Sequence, residues 1–307
     1  MNNVVQARPA SNRQQPVTAG FHVESQNRKL GVWLEGLVSD ARVKGAPIVS
    51  IIKLTPELAE LLLNRNPANR KINANMVDSF ASDMAGRRWA MNGEPIIISD
   101  TGELNDGQHR CMAVRQSGAT IDAILVVGVS RDSRTTLDQG RQRSISDYLS
   151  MDGHADSKVL GAAANHLWSY RNRGMLYKGG GTSRLGATKS EIRQTVIDNP
   201  GLERSVVIAG RQALAIGGRA IVAFTHFVLS AQNREAADQF VLSLMDGAGL
   251  KSNDPILYAR NRLINERGRL FAPDKAELLF KSWNAWRTGT SYAHLRIQGG
   301  PLPVLEA

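Results

Sequence analysis

Five consecutive residues, Asp106-Gly107-Gln108-His109-Arg110, gather an acid, a flexible backbone position, an amide, an imidazole and a guanidinium. Ahead of them lies the strand-like "EPIIISDTGELND", and behind them the helical pattern of "CMAVRQSG". A strand that ends at a glycine and passes at once into a helix aims main-chain N–H groups and the positive end of the helix dipole at one place. Such a place favours an anion, and Arg110 adds a planar fork of donors suited to phosphate oxygens. His109 can donate a hydrogen bond or move a proton near neutral pH. Asp106 can help hold a metal ion or orient the histidine. An ordinary Asp-Gly turn followed by solvated first-turn residues satisfies the same letters.

Other chemistry-bearing residues are sparser. Arg141 and Arg143 in "GRQRS" stand just before a helix start and can close over phosphates or a nucleic-acid backbone, with Asp138 orienting one of them. A solvated basic loop is the alternative. Cys111, the single cysteine, excludes an intramolecular disulfide and a thiolate zinc site, and inside a helix it reads as a small core residue. "KGGGTSRLGATKS" fails as a P-loop because Ala187 follows Gly186 and no apolar strand feeds it. It reads as a surface loop whose Lys178 and Arg184 are available to a polyanion. No zinc-protease or acidic calcium-loop pattern occurs, so no metal ligands are assigned. His166, His226, Trp283 and Trp286 fall at helical spacing in apolar stretches and read as packing. Asn199-Pro200-Gly201 separates two possible helices but is too weak a turn signature to assign a helix-turn-helix.

The elements that must position the corner follow from caps and periodicity. Thr55-Pro56 opens a helix in "LTPELAELLLNRN". Val77, Phe80, Ala81 and Met84 share a helical face that Gly86 can end. Two short strands joined by Asp100-Thr101-Gly102 lead to the corner, a helix over 108–117 is stopped by Gly118, and "TIDAILVVGV" reads as a buried strand. Ser144 and Asp147 have capping-box spacing. Apolar residues at helical spacing then recur to about residue 290. The expected organisation is a flexible arm over 1–44, an α/β domain over 45–150, a helical domain over 151–290 and a tail over 291–307.

Hydrophobic residues at 42% and charged residues at 21% suit a folded chain. No apolar run approaches the roughly 18–20 residues a membrane helix needs. The polar N-terminus lacks a signal-peptide core, and with one cysteine a cytoplasmic location is expected. Net charge is +10, with 20 Lys/Arg against 13 Asp/Glu in residues 151–307 and 12 against 12 in residues 51–150. An excess of this kind suits a nucleic-acid partner or a solubilising surface.

"GEPIIISDTGELNDGQHRCMAV" resembles the ParB/sulfiredoxin-like superfamily, and within it the "DGQHR" proteins common in phages and prophages. ParB proteins carry a Pro-Ile strand followed by a G-x-R-R-x-x-A box; here the strand is Pro95-Ile96-Ile97-Ile98 and the box Gly107, His109, Arg110 and Ala113. "TLDQGRQRSISDYLS" is similar to a segment that follows the box in phage members, and the resemblance covers about 50–150. It implies an α+β fold, a small mixed α/β domain followed by a mainly helical one. It also implies binding of a nucleoside triphosphate, CTP or ATP, usually with magnesium. Gly107, Gln108, His109 and Arg110 would face the phosphates, joined by Arg141 and Arg143. Glu94, Asp106 and His109 are the catalytic candidates, Glu94 because carboxylates near this strand act as bases or metal partners in some phosphotransfer relatives, with a solvent-exposed charge at the strand entry as its alternative role. The sulfiredoxin cysteine falls at Gln108, which cannot act as a thiolate, so that activity is not expected. The expected function is nucleotide binding, with hydrolysis left open, in phage or prophage DNA transactions, with DNA as partner and a homodimer allowed. Two alternatives stand beside it: a nuclease or DNA-modification accessory factor, and a non-enzymatic DNA-binding regulator.

Overall fold

The computed structural model describes residues 18–66, 71–136, 143–176, 186–290 and 295–306. The chain is α+β and divides into two compact units, 1–139 and 140–307. The division lies ahead of the boundary at 150 expected from sequence, because the helix over 145–151 packs with the helices that follow it.

In the first unit the order is α1 (Thr18–Lys44), β1 (Ile48–Leu54), α2 (Pro56–Leu63), α3 (Ala74–Ala85), β2 (Pro95–Ser99), β3 (Leu104–Asp106), α4 (Gln108–Ser117) and β4 (Ile121–Val129). The expected flexible arm is thus corrected over its described part. α1 is a helix of 27 residues, and Leu34, Val38 and Ala41 on it are buried in the unit's core. The sheet order is β1-β4-β2-β3, with β4 antiparallel to β1 and parallel to β2, and β2 antiparallel to β3. β4 alternates rather than being buried throughout: Ile121, Ala123, Leu125 and Val127 face the core while Asp122 is exposed and pairs with Lys53 at 2.7 Å. A period of two places one face against helices and leaves the other open.

Local chemistry sets the helix ends. The Thr55 hydroxyl accepts from the Leu58 N–H at 3.3 Å with Pro56 in the first turn, and Asn73 caps α3 by accepting from the Met76 N–H at 3.3 Å. α4 ends at Gly118, whose left-handed φ of +67° closes the helix with a bond to the Val114 carbonyl. Leu54, Leu58, Leu62, Val77, Ile96, Ile98, Leu104, Val114 and Leu125 make one apolar core beneath the sheet.

The second unit is helical among its described residues: α5 (Ile145–Met151), α6 (Ser157–Arg173), α7 (Lys189–Ile197), α8 (Gly201–Ala209), α9 (Arg219–Ser230), α10 (Arg234–Asp246), α11 (Pro255–Asn265) and α12 (Ala272–Arg287). Ser144 and Asp147 form the expected capping box, and Thr188 with Glu191 forms another. Phe224, Phe240, Phe280 and Trp283 are fully buried at its centre. Residues 295–306 have no regular secondary structure, yet Leu295 and Leu302 are buried in the helical core. None of the described helices is long and apolar enough to cross a membrane.

Candidate functional site

The corner forms where β3 stops. Gly107 occupies the cap position of α4 at φ +101°, ψ 4°, and as a glycine it brings no side-chain cap to the helix start. Glycine is required on two counts. The angle lies in the left-handed region, and a Cβ there would sit 3.0 Å from the Ile96 Cγ1 atom and 3.4 Å from its Cα. The strand thus turns into a helix close against β2.

Arg110 lies one helical turn beyond Asp106, and the structure turns its guanidinium inward. Nη1 donates to the Glu94 carbonyl, and Nη2 donates to the Pro95 carbonyl at 2.8 Å and to Asp106 Oδ2 at 3.0 Å. Pairing of β3 with β2 ends at Ile97↔Asp106, so no β3 residue is left to face Glu94 and Pro95. Their carbonyls still need donors, and Arg110 supplies them in place of the missing strand. The side chain is only 12% exposed. The expectation of a guanidinium aimed at phosphate is therefore corrected, since two carbonyl dipoles and a carboxylate occupy its fork.

Gln108 and His109 are also turned inward, and both are buried. Gln108 Oε1 accepts from Asn66 Nδ2 at 3.2 Å, and His109 Nε2 accepts from the Asn73 main-chain N–H at 3.0 Å. Accepting at Nε2 fixes the proton of the neutral imidazole on Nδ1. Asn66 and Asn73 flank the stretch between α2 and α3, so the two motif side chains anchor both of its ends. Asp106 is occupied by Arg110. Glu94 is exposed, and its carboxylate makes no hydrogen bond or ion pair among the described residues. The structure therefore brings the Glu94 main chain, Asp106, Gly107 and Arg110 together, while Gln108 is turned to Asn66 beyond α2 and His109 to Asn73 at the start of α3.

Arg141 and Asp138 lie outside the described residues, as do Lys178 and Arg184. Arg143 belongs to the second unit, where it is exposed and its carbonyl accepts from Lys189 Nζ at 2.6 Å. Cys111 is fully buried, and burial pushes its thiol up to about 12, so it is a packing residue as its position inside the helix suggests.

Sequence reasoning missed two polar clusters. Asn105 Nδ2 reaches the Val129 and Ser130 carbonyls at 3.4 Å, while Arg131 bonds Asn105 at 3.3 Å and pairs with Glu103 at 2.8 Å, tying β3 to the end of β4. In the second unit, His226 Nδ1 lies 2.8 Å from Ser205 Oγ and Nε2 2.7 Å from Asp238 Oδ1, and Asp238 holds Arg204 through both oxygens at 2.9 and 2.6 Å. Ser205 is only 2% exposed, so this chain joins α8, α9 and α10 and offers no reachable nucleophile. The Arg204 guanidinium, with help from His226, holds Asp238 down to about 2.

The donor set at the corner does not fit a metal held by protein. Among the described residues no three His, Cys, Asp or Glu side chains converge, and Asp106 is already paired. A magnesium ion would have to arrive on the phosphates of a ligand. The start of α4, where Gly107 brings no side-chain cap, is the place at this corner that suits an anion. The chain matches no family profile, no curated protein and no solved structure.

Proposed function

We propose that the chain is a nucleoside-triphosphate-binding protein of the ParB/sulfiredoxin-like kind, acting in phage or prophage DNA transactions. The observation that carries this reading is the junction at Gly107: a strand passes into a helix through a left-handed glycine, which brings no side-chain cap of its own. The dipole and first-turn N–H groups favour a phosphate there. Arg110 is assigned a positioning role, locking β2 to the corner, instead of a direct grip on the ligand. The second unit, with 22 Lys/Arg against 14 Asp/Glu in residues 140–307, is the DNA-binding part in this reading.

Calorimetric titration with CTP, ATP and GTP, with magnesium present, tests it. Binding of at least one is expected, along with at least a tenfold loss in Gln108→Glu, which keeps an acceptor for Asn66 but sets a negative charge at the helix start. No binding by the parent chain, or equal binding by a folded Gln108→Glu variant, overturns the reading.

A second reading, a DNA-binding regulator without nucleotide chemistry, draws on a different observation. Gln108, His109 and Arg110 each serve to hold the first unit together. It expects DNA affinity that falls steeply with salt and does not respond to added triphosphate.

A further inference from the structure

Residues 295–306 lie on the helical unit as a bound peptide would. Asn284 grips their main chain on both sides, Nδ2 donating to the Val304 carbonyl at 2.7 Å and Oδ1 accepting from the Glu306 N–H at 2.9 Å. Next to it, the indole N–H of buried Trp283 reaches the Glu306 carbonyl at 3.3 Å, and Gln232 Nε2 donates to the Leu305 carbonyl at 3.1 Å. At the other end the buried Glu277 carboxylate accepts the Gln298 and Gly299 N–H groups at 2.8 and 2.9 Å, Lys281 donates to the Arg296 carbonyl at 2.7 Å, and Arg262 holds the Leu295 carbonyl. Between these ends Leu302 donates its N–H to the Gly174 carbonyl at 2.9 Å.

Almost every polar contact is thus a side chain of the helices reading strap backbone. The fully buried side-chain anchors are Leu295 and Leu302, Leu305 packs partly buried against the same core, and Val304 stands 87% exposed above the Asn284 clamp. A helical segment docked by a helix face could not be read in this way, since its N–H and C=O groups would be used internally. The groove is therefore made for an extended chain. Only residues 288–294 connect α12 to Leu295. A groove that recognises extended backbone and a few leucine anchors cannot distinguish its own strap from an identical one on another molecule.

We propose that the groove along α12 is a docking site for an extended segment, filled at rest by the molecule's own C-terminal strap, and that the strap of a second copy can take its place. Two full-length variants test this. Leu295→Asp with Leu302→Asp keeps the groove and disables the strap, whereas Asn284→Ala keeps the strap and removes the clamp. The first variant should bind a labelled synthetic peptide of residues 295–307 in an anisotropy titration. The parent chain should bind it at least ~100-fold more weakly, because its tethered strap competes at a local concentration of order mM. Adding Asn284→Ala to the first variant should weaken peptide binding ~10-fold through loss of two hydrogen bonds. Mixing the two full-length variants should give a one-to-one complex in sedimentation velocity, with each alone sedimenting as a monomer. If the strap-disabled variant is unfolded, recovery of helical circular dichroism on adding the peptide supports the docking site. Failure of the peptide to bind a folded variant, or to restore an unfolded one, overturns it. Peptide binding without a one-to-one complex overturns exchange with a second copy.

Discussion

Arg110 shows how a side chain suited to a ligand can be spent on the scaffold. Its two terminal nitrogens serve two carbonyls and one carboxylate, so truncation leaves partly buried acceptors and Asp106 without their donor. Arg110→Ala should cost the first unit about 2–4 kcal/mol in urea unfolding. Arg110→Lys should recover only part of that, because an ammonium cannot reproduce the fork. Retention of full stability by the alanine variant would mean that the carbonyls find other donors. Cys111 supplies a second test at this scale. Buried, with its thiol pushed up to about 12, it should stay unmodified by an aromatic disulfide reagent at pH 8 and react in full once urea unfolds the chain.

At the scale of elements, Gly107 decides whether β3 can pass into α4. Gly107→Ala combines a strained left-handed residue with a methyl group 3.0 Å from Ile96, and should cost about 2–3 kcal/mol. Thr188→Ala removes half of the α7 capping box and should cost about 1 kcal/mol, read as a lower melting midpoint. Gly107 was visible in the letters, as were the helix opened by Thr55-Pro56, the paired strands around Asp100-Thr101-Gly102 and the helix ended by Gly118, whereas the Thr188 cap was not singled out. Each of these rests on neighbours in sequence. The missed features rest on partners far apart. α1 is polar in most of its length and joins the core through Leu34, Val38 and Ala41 only once α2 and β4 are in place. The direction of the Arg110 side chain depends on carbonyls fifteen and sixteen residues away, which no local pattern carries. The strap over 295–306 is invisible for the same reason, since its partners are spread from Gly174 to Asn284.

For the whole molecule, charge belongs mainly to the second unit, which carries +8 of the net +10, and that unit also holds two histidines shifted by burial. Burial beside Phe224 pushes His166 down to about 4, and burial also lowers His226, outweighing Asp238 beside it, with Arg204 and Arg234 acting in the same direction as burial. Both imidazoles are held neutral when folded. The unfolded chain takes up these protons below pH about 6.5, so stability is lost as pH falls from there toward 4. His166 accounts for on the order of 2–3 kcal/mol of that loss. Asp238, held near 2, adds a further loss as pH falls below its ordinary carboxylate range. Melting midpoints across pH 4–7 should therefore decline toward acid, and His166→Leu should flatten the curve; an unchanged slope in that variant would assign the acid response elsewhere. The sheet order has a separate bearing on biosynthesis. β4 joins β1 to β2, yet it is the last strand of its unit to leave the ribosome. Until residue 129 has emerged, β1 and the β2–β3 pair have no common partner, and their apolar faces await a chaperone or one another. A nascent chain stalled before Ile121 should be digested by protease, and one stalled well beyond Val129 should resist it.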